Sequence, residues 1–144
     1  MATGAALNRK NETLSDQIGR EQVERIIHHF YQKLRNDPEI QHFFSHIEDF
    51  SSHESHIADF WWIALGGKLD HKPAFDMLNR HRALSLNEQA FNLWLETFEA
   101  TLHEELPLAS ANQWYQLAVA IGENLRRYTI GGEQPGLMNI SLGK

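Results

Sequence analysis

Apolar residues recur at helical spacing through almost the whole middle of this chain, and no stretch alternates strictly in twos. Val23, Ile26, Ile27, Phe30, Tyr31 and Leu34 fall on one stripe of an amphipathic helix. Such a stripe is stable only when buried against a partner, so repeated stripes without strand signals point to an all-α fold. The first stripe should end near Asn36-Asp37-Pro38, because the residue before a proline resists helical geometry.

The rest of the chain divides in the same way. A short helix is expected over Glu39–Phe44. Ser51 and Glu54 stand at the spacing of a capping box, opening a helix whose stripe is Ile57, Phe60, Trp61 and Ala64 and which Gly66-Gly67 should stop. Pro73 suits the first turn of a short helix over 73–81. Ser85 and Glu88 repeat the capping-box spacing ahead of Phe91, Trp94, Leu95, Phe98 and Leu102. A final helix from about Ser110 carries Trp114, Leu117, Ala118, Ile121 and Leu125 to about Tyr128. The polar start, 1–19, reads as an N-terminal extension, 20–128 as one domain, and the Gly-rich 129–144 as a flexible tail.

Composition narrows the function. The chain has 144 residues, enough for one domain with a single core. Thirteen basic residues against 19 acidic give a net charge of −6, so no basic stripe is available for nucleic acid. The absence of cysteine removes disulfides, thiolate metal sites and cysteine nucleophiles. No apolar run suits a secretory signal or a membrane span, and a soluble cytoplasmic protein, monomeric or weakly dimeric, is the expectation.

Nine histidines invite a search for metal sites. His53-Glu54-Ser55-His56 is one residue short of the zinc-protease spacing, and His28-His29 lie about 100° apart on a helix, so neither pair readily clamps one ion. There is no phosphate-binding glycine loop, no nucleophile elbow and no paired Glu-x-x-His set. Read singly, His81 is a surface histidine at a helix end, and Tyr31 and Trp94 are core aromatics whose polar atoms need only some partner.

The joint order is more specific than any one residue. Phe30-Tyr31 is followed by His53, by Trp61 eight residues later, by Met77-Leu78-Asn79-Arg80-His81, and by Trp94 between Phe91 and Phe98. In this order and at these separations the chain resembles the truncated haemoglobins, and is most similar to their group III, over about residues 20–128. The resemblance implies a two-over-two helical sandwich enclosing haem b. It matches His81 to the proximal iron ligand, and Tyr31, His53 and Trp94 to distal residues that stabilise the gas ligand. It matches Phe30, Phe43 or Phe44, Ile57 and Trp61 to the apolar wall. Met77 is a candidate for packing near the haem and not an axial ligand, and Arg80, like Arg82, is either a propionate partner or an ordinary solvated arginine. His53 is open to three readings, a gate to ligand entry, an iron ligand or a solvated residue. Arg82-Ala83-Leu84-Ser85 departs from the family, whose members often have an apolar residue and a proline there.

What the resemblance implies for chemistry is reversible binding of oxygen and other diatomic ligands, with nitric oxide, carbon monoxide, cyanide or peroxide as further ligands. Two or three distal donors imply slow oxygen release, better suited to detoxifying nitric oxide or reactive oxygen, or to peroxidase-like chemistry, than to oxygen transport. An external reductase would supply electrons for any turnover. A gas sensor or ligand store acting through a partner, and a haem-free helical interaction module, are the alternatives.

Overall fold

The computed structural model describes residues 12–45, 47–71 and 87–129. Five α-helices and one 3-10 turn make up the described residues: α1 Leu14–Ile18, α2 Arg20–Asn36, the turn Gln41–Phe44, α3 Phe50–Ala64, α4 Glu88–Glu105 and α5 Leu108–Thr129. There is no strand among them. The helix expected over 73–81 lies outside the described residues, as do Ser85 and the tail from residue 130.

The stripe of α2 is buried as its spacing requires: Val23, Ile26, Ile27, Phe30, Tyr31 and Leu34 all lie in the core. α2 packs on α3 and on α4, and α4 packs on α5, which places an α2–α3 layer over an α4–α5 layer. The layers meet through aromatic rings. Trp61 of α3 stacks on Phe98 of α4 at 5.4 Å, and both rings meet Trp114 of α5, at 5.8 and 5.6 Å. Phe98 and Trp114 are fully buried.

Two histidines that are neighbours in sequence serve opposite joints of this sandwich. His28 Nδ1 pairs with Glu54 Oε1 of α3 at 2.9 Å, whereas His29 Nδ1 pairs with Glu105 of α4. Their divergence is the helical rotation of about 100° per residue, and no three His, Cys, Asp or Glu side chains gather for a metal among the described residues. Glu54 is thereby committed to a cross-helix hydrogen bond.

Helix starts differ from their expected positions. α3 opens on Asp49, whose carboxylate accepts from Ser52 N at 3.2 Å, two residues before Ser51. α4 opens on Asn87, whose side-chain oxygen accepts from Ala90 N at 2.8 Å. Both Asp and Asn are strong N-caps, so the competing Ser-x-x-Glu spacings carried no extra weight. α5 begins at Leu108, straight after Pro107, two residues ahead of Ser110. The segment expected to be a helix over Glu39–Phe44 is the tighter 3-10 turn.

Residues 13–18, read from sequence as part of a polar extension, form a capped helix that packs on α2 and α5. Thr13 caps α1 through Asp16 N, and Ser15 N bonds Leu65 O at 3.0 Å. The docking site is the end of α3, where Gly66 takes φ +104° and lies so close to Thr13 that a Cβ would stand 2.7 Å from its Cβ. The Gly66-Gly67 stop is where the sequence places it.

A buried carboxylate secures the same corner. Asp59 of α3 accepts from Arg20 Nη2 at 2.8 Å, and its other oxygen faces His71 Nε2 at 3.4 Å. His71 also meets Asp70 at 2.9 Å, and hydrogen bonds to Asp70 and Asp59 hold its imidazole pKa above the ordinary value.

Candidate haem pocket

Tyr31 stands on the buried stripe of α2, and its side chain is enclosed by rings. Phe44 from the 3-10 turn and His53 from α3 each meet it edge-on at 5.7 Å, and Phe30 meets it at 5.1 Å. Burial is the main cause that lifts the Tyr31 phenol well above its usual pKa, with the nearby Glu54 carboxylate adding to it. The raised pKa favours the protonated phenol, whose O–H can donate a hydrogen bond.

Phe30 joins this group to the second donor. Its ring meets Trp94 of α4 at 5.7 Å and Phe98 at 4.7 Å, and Trp94 stacks on Phe98 at 5.6 Å. The far rim of Trp94 reaches α5, where a Cβ on Gly122 would stand 3.9 Å from Cζ3. Tyr31, His53 and Trp94, separated by up to 63 positions in the chain, are thus linked by one chain of aromatic contacts, His53 to Tyr31, Tyr31 to Phe30 and Phe30 to Trp94.

The wall residues sort themselves by geometry. Of Phe43 and Phe44, it is Phe44 that meets Tyr31, while Phe43 lies against His42 at 4.1 Å. Ile57 is buried one helical turn beyond His53. Trp61 is buried against Phe98 and Trp114 in the middle of the sandwich. His81, Met77 and Arg80 lie outside the described residues. Phe50 was not singled out by sequence: it meets His53 at 5.8 Å and Phe44 at 6.2 Å. Its signal was hidden by the cap assignment, which left Phe50 in a loop before Ser51. Phe98, visible as part of a stripe, is the ring on which Trp61, Trp94, Trp114 and Phe30 converge.

Phe43, Phe44, Phe50, Leu93 and Trp94 are packed on the core yet only partly buried. A wall of that kind, apolar and aromatic with a protonated phenol and an indole among its rings, suits a flat apolar macrocycle carrying a small polar ligand. By contrast, a hollow of about 210 Å³ between Glu24, Ser51, Glu54 and Ser55 is polar and carboxylate-lined, and does not suit one.

The family model of bacterial-like globins matches residues 13–118. The chain belongs to the bacterial-like globins. Solved structures agree on the fold. The 2/2 haemoglobin of a Synechococcus species, in its cyanomet state with covalently attached haem, superposes with a TM-score of 0.70 at 23% identity, covering 83% of this chain and 99% of that one. The truncated haemoglobin of Tetrahymena pyriformis in its Fe(III) form gives 0.67 at 23% identity, covering 82% and 97%. No curated protein matches in sequence. This globin has the all-α truncated architecture, and its family makes haem its cofactor and small gases its ligands. The match begins at Thr13's position, so the docked helix α1 falls within the matched span.

Proposed function

We propose that this globin holds haem b through His81 in a pentacoordinate state and binds oxygen with slow release, on the pattern of group III truncated haemoglobins. Bound haem supplies reversible coordination of diatomic gases and their redox chemistry. The observation that carries the reading is the buried, protonated Tyr31 caged with His53 and Phe44 and joined through Phe30 to Trp94.

The protein's contribution follows from those side chains. Tyr31 offers its O–H, Trp94 its indole N–H and His53 an imidazole N–H to the outer atom of a ligand, where negative charge gathers. The aromatic wall keeps water away, which strengthens each bond. A hydrogen bond to a charged acceptor contributes about 1.5–3 kcal/mol, roughly a tenfold to hundredfold change in affinity, expressed mainly in release. Arg80 serves a propionate, and Met77 packs near the haem.

Slow release favours chemistry on the held ligand over carriage. Nitric oxide dioxygenation or peroxidase-like turnover, with electrons from an external reductase, is the activity that such a pocket serves. Tyr31→Phe should release oxygen about ten- to a hundredfold faster by stopped-flow displacement; release at the wild-type rate would defeat the distal-donor reading.

A further inference from the structure

We propose that Arg35 and Phe50 form a latch over the distal side of the pocket, setting how fast ligands pass in and out. The inference rests on the haem-ligand reading above.

Four layers run from solvent to the buried phenol. The exposed Arg35, in the last turn of α2, places its guanidinium carbon 3.7 Å from the centroid of the Phe50 ring. Phe50, half-buried, meets His53 at 5.8 Å and Phe44 at 6.2 Å. Those two rings in turn meet Tyr31, each at 5.7 Å. Beyond Tyr31 lies the closed core.

The two halves of the latch differ in what holds them. Arg35 follows the buried Leu34 on a 17-residue helix, whose packing fixes its backbone. Phe50 is the first residue of α3. Its turn is held by the Asp49 carboxylate on Ser52 N at 3.2 Å and by His53 N on Asp49 O at 3.1 Å. The backbone N–H groups of a first turn lie outside the helical ladder, so that turn can fray without disturbing the rest. Swinging Phe50 outward uncovers His53 and Phe44 while Tyr31 stays in place. The guanidinium over the ring resists that swing.

A cation on an exposed aromatic face is a weak contact, and its loss should speed opening about two- to fivefold. Access and release use the same opening, so both rates must change together and the equilibrium affinity must not. This separates the latch from the distal donors, which change release alone.

The test uses the haem-loaded full chain. Carbon monoxide rebinding after flash photolysis and its release by displacement should both quicken about two- to fivefold in Arg35→Ala. Arg35→Lys, which keeps a cation, should lie between that variant and wild type. Phe50→Leu, which keeps apolar bulk, should quicken both rates at least as much. On the same samples, carbethoxylation of His53, followed by peptide mass spectrometry with the exposed His28 as internal control, should accelerate in proportion. Unchanged rates and unchanged His53 modification in Arg35→Ala overturn the latch, as does faster release without faster rebinding. Should the wild-type chain take up no haem, the functional reading fails by itself. The His53 modification ratio on the haem-free chain then decides the latch, and an unchanged ratio overturns it.

Discussion

Tyr31 shows how a residue acquires a role from its surroundings. On the helical stripe it is one more core aromatic, and only the rings of Phe44, His53 and Phe30 around it make a caged donor. Burial raises its pKa, and the sign of the linkage follows. An unfolded tyrosine ionises near pH 10, so the stabilisation from the neutral buried phenol is complete below that pH and is lost as pH rises towards the folded value. Denaturant melts across the alkaline range should show a loss of stability above about pH 10 that Tyr31→Phe reduces; an identical alkaline profile in the variant would contradict the burial argument. Phe98 makes the complementary case for pure packing. It is fully buried and meets Phe30, Trp61, Trp94 and Trp114. Phe98→Ala should cost about 3–5 kcal/mol in urea unfolding, and a loss below about 1 kcal/mol would mean that the sandwich does not meet at this ring. Among the candidate residues, Trp94 and His53 were singled out by order and spacing. Phe50 was not, because its place depends on where one helix starts.

At the scale of the element, that start is the informative difference. Asp49 and Ser51 are both good cap residues, and Ser51 carries the added lure of Glu54 three positions on. Glu54 is instead engaged with His28 across the helix pair, so the box has no second half. Asp49→Ala should therefore lower stability by about 0.5–2 kcal/mol, while Ser51→Ala should lie within about 0.5 kcal/mol of wild type; the reverse order in thermal melts would return the cap to Ser51. The end of the same helix was easier to read, since a glycine pair marks a stop whatever the tertiary contacts. Gly66→Ala must place a Cβ on a positive φ and against Thr13, and should cost about 1–3 kcal/mol. Because Thr13 caps α1 there, hydrogen exchange in α1 should rise in that variant; protection equal to wild type would show that α1 does not dock through this corner. The helix α1 escaped the sequence reading because five residues are too few to display a period, and its stability comes from Leu65 and its neighbours.

At the scale of the whole molecule, the all-α architecture was legible because long helices must bury their stripes, and α2, α3, α4 and α5 each carry one. How the layers face each other was not, since the joints are made by pairs far apart in sequence: His29 with Glu105, Lys33 with Glu104, Trp61 with Trp114. Haem was legible only through the joint order of Phe30-Tyr31, His53, Trp61, His81 and Trp94, because each of these residues alone has an ordinary structural reading. No described helix is long and apolar enough to cross a membrane. The central claim is that this globin seats haem against the aromatic wall of Phe44, Tyr31 and Trp94 with His81 as its iron ligand. Titrating haemin into the purified chain, beside His81→Ala, tests it most directly. The account predicts a saturable Soret band at one haem per chain, changed in position and weakened in His81→Ala. No Soret band with the wild-type chain, or the same spectrum from both proteins, would contradict it.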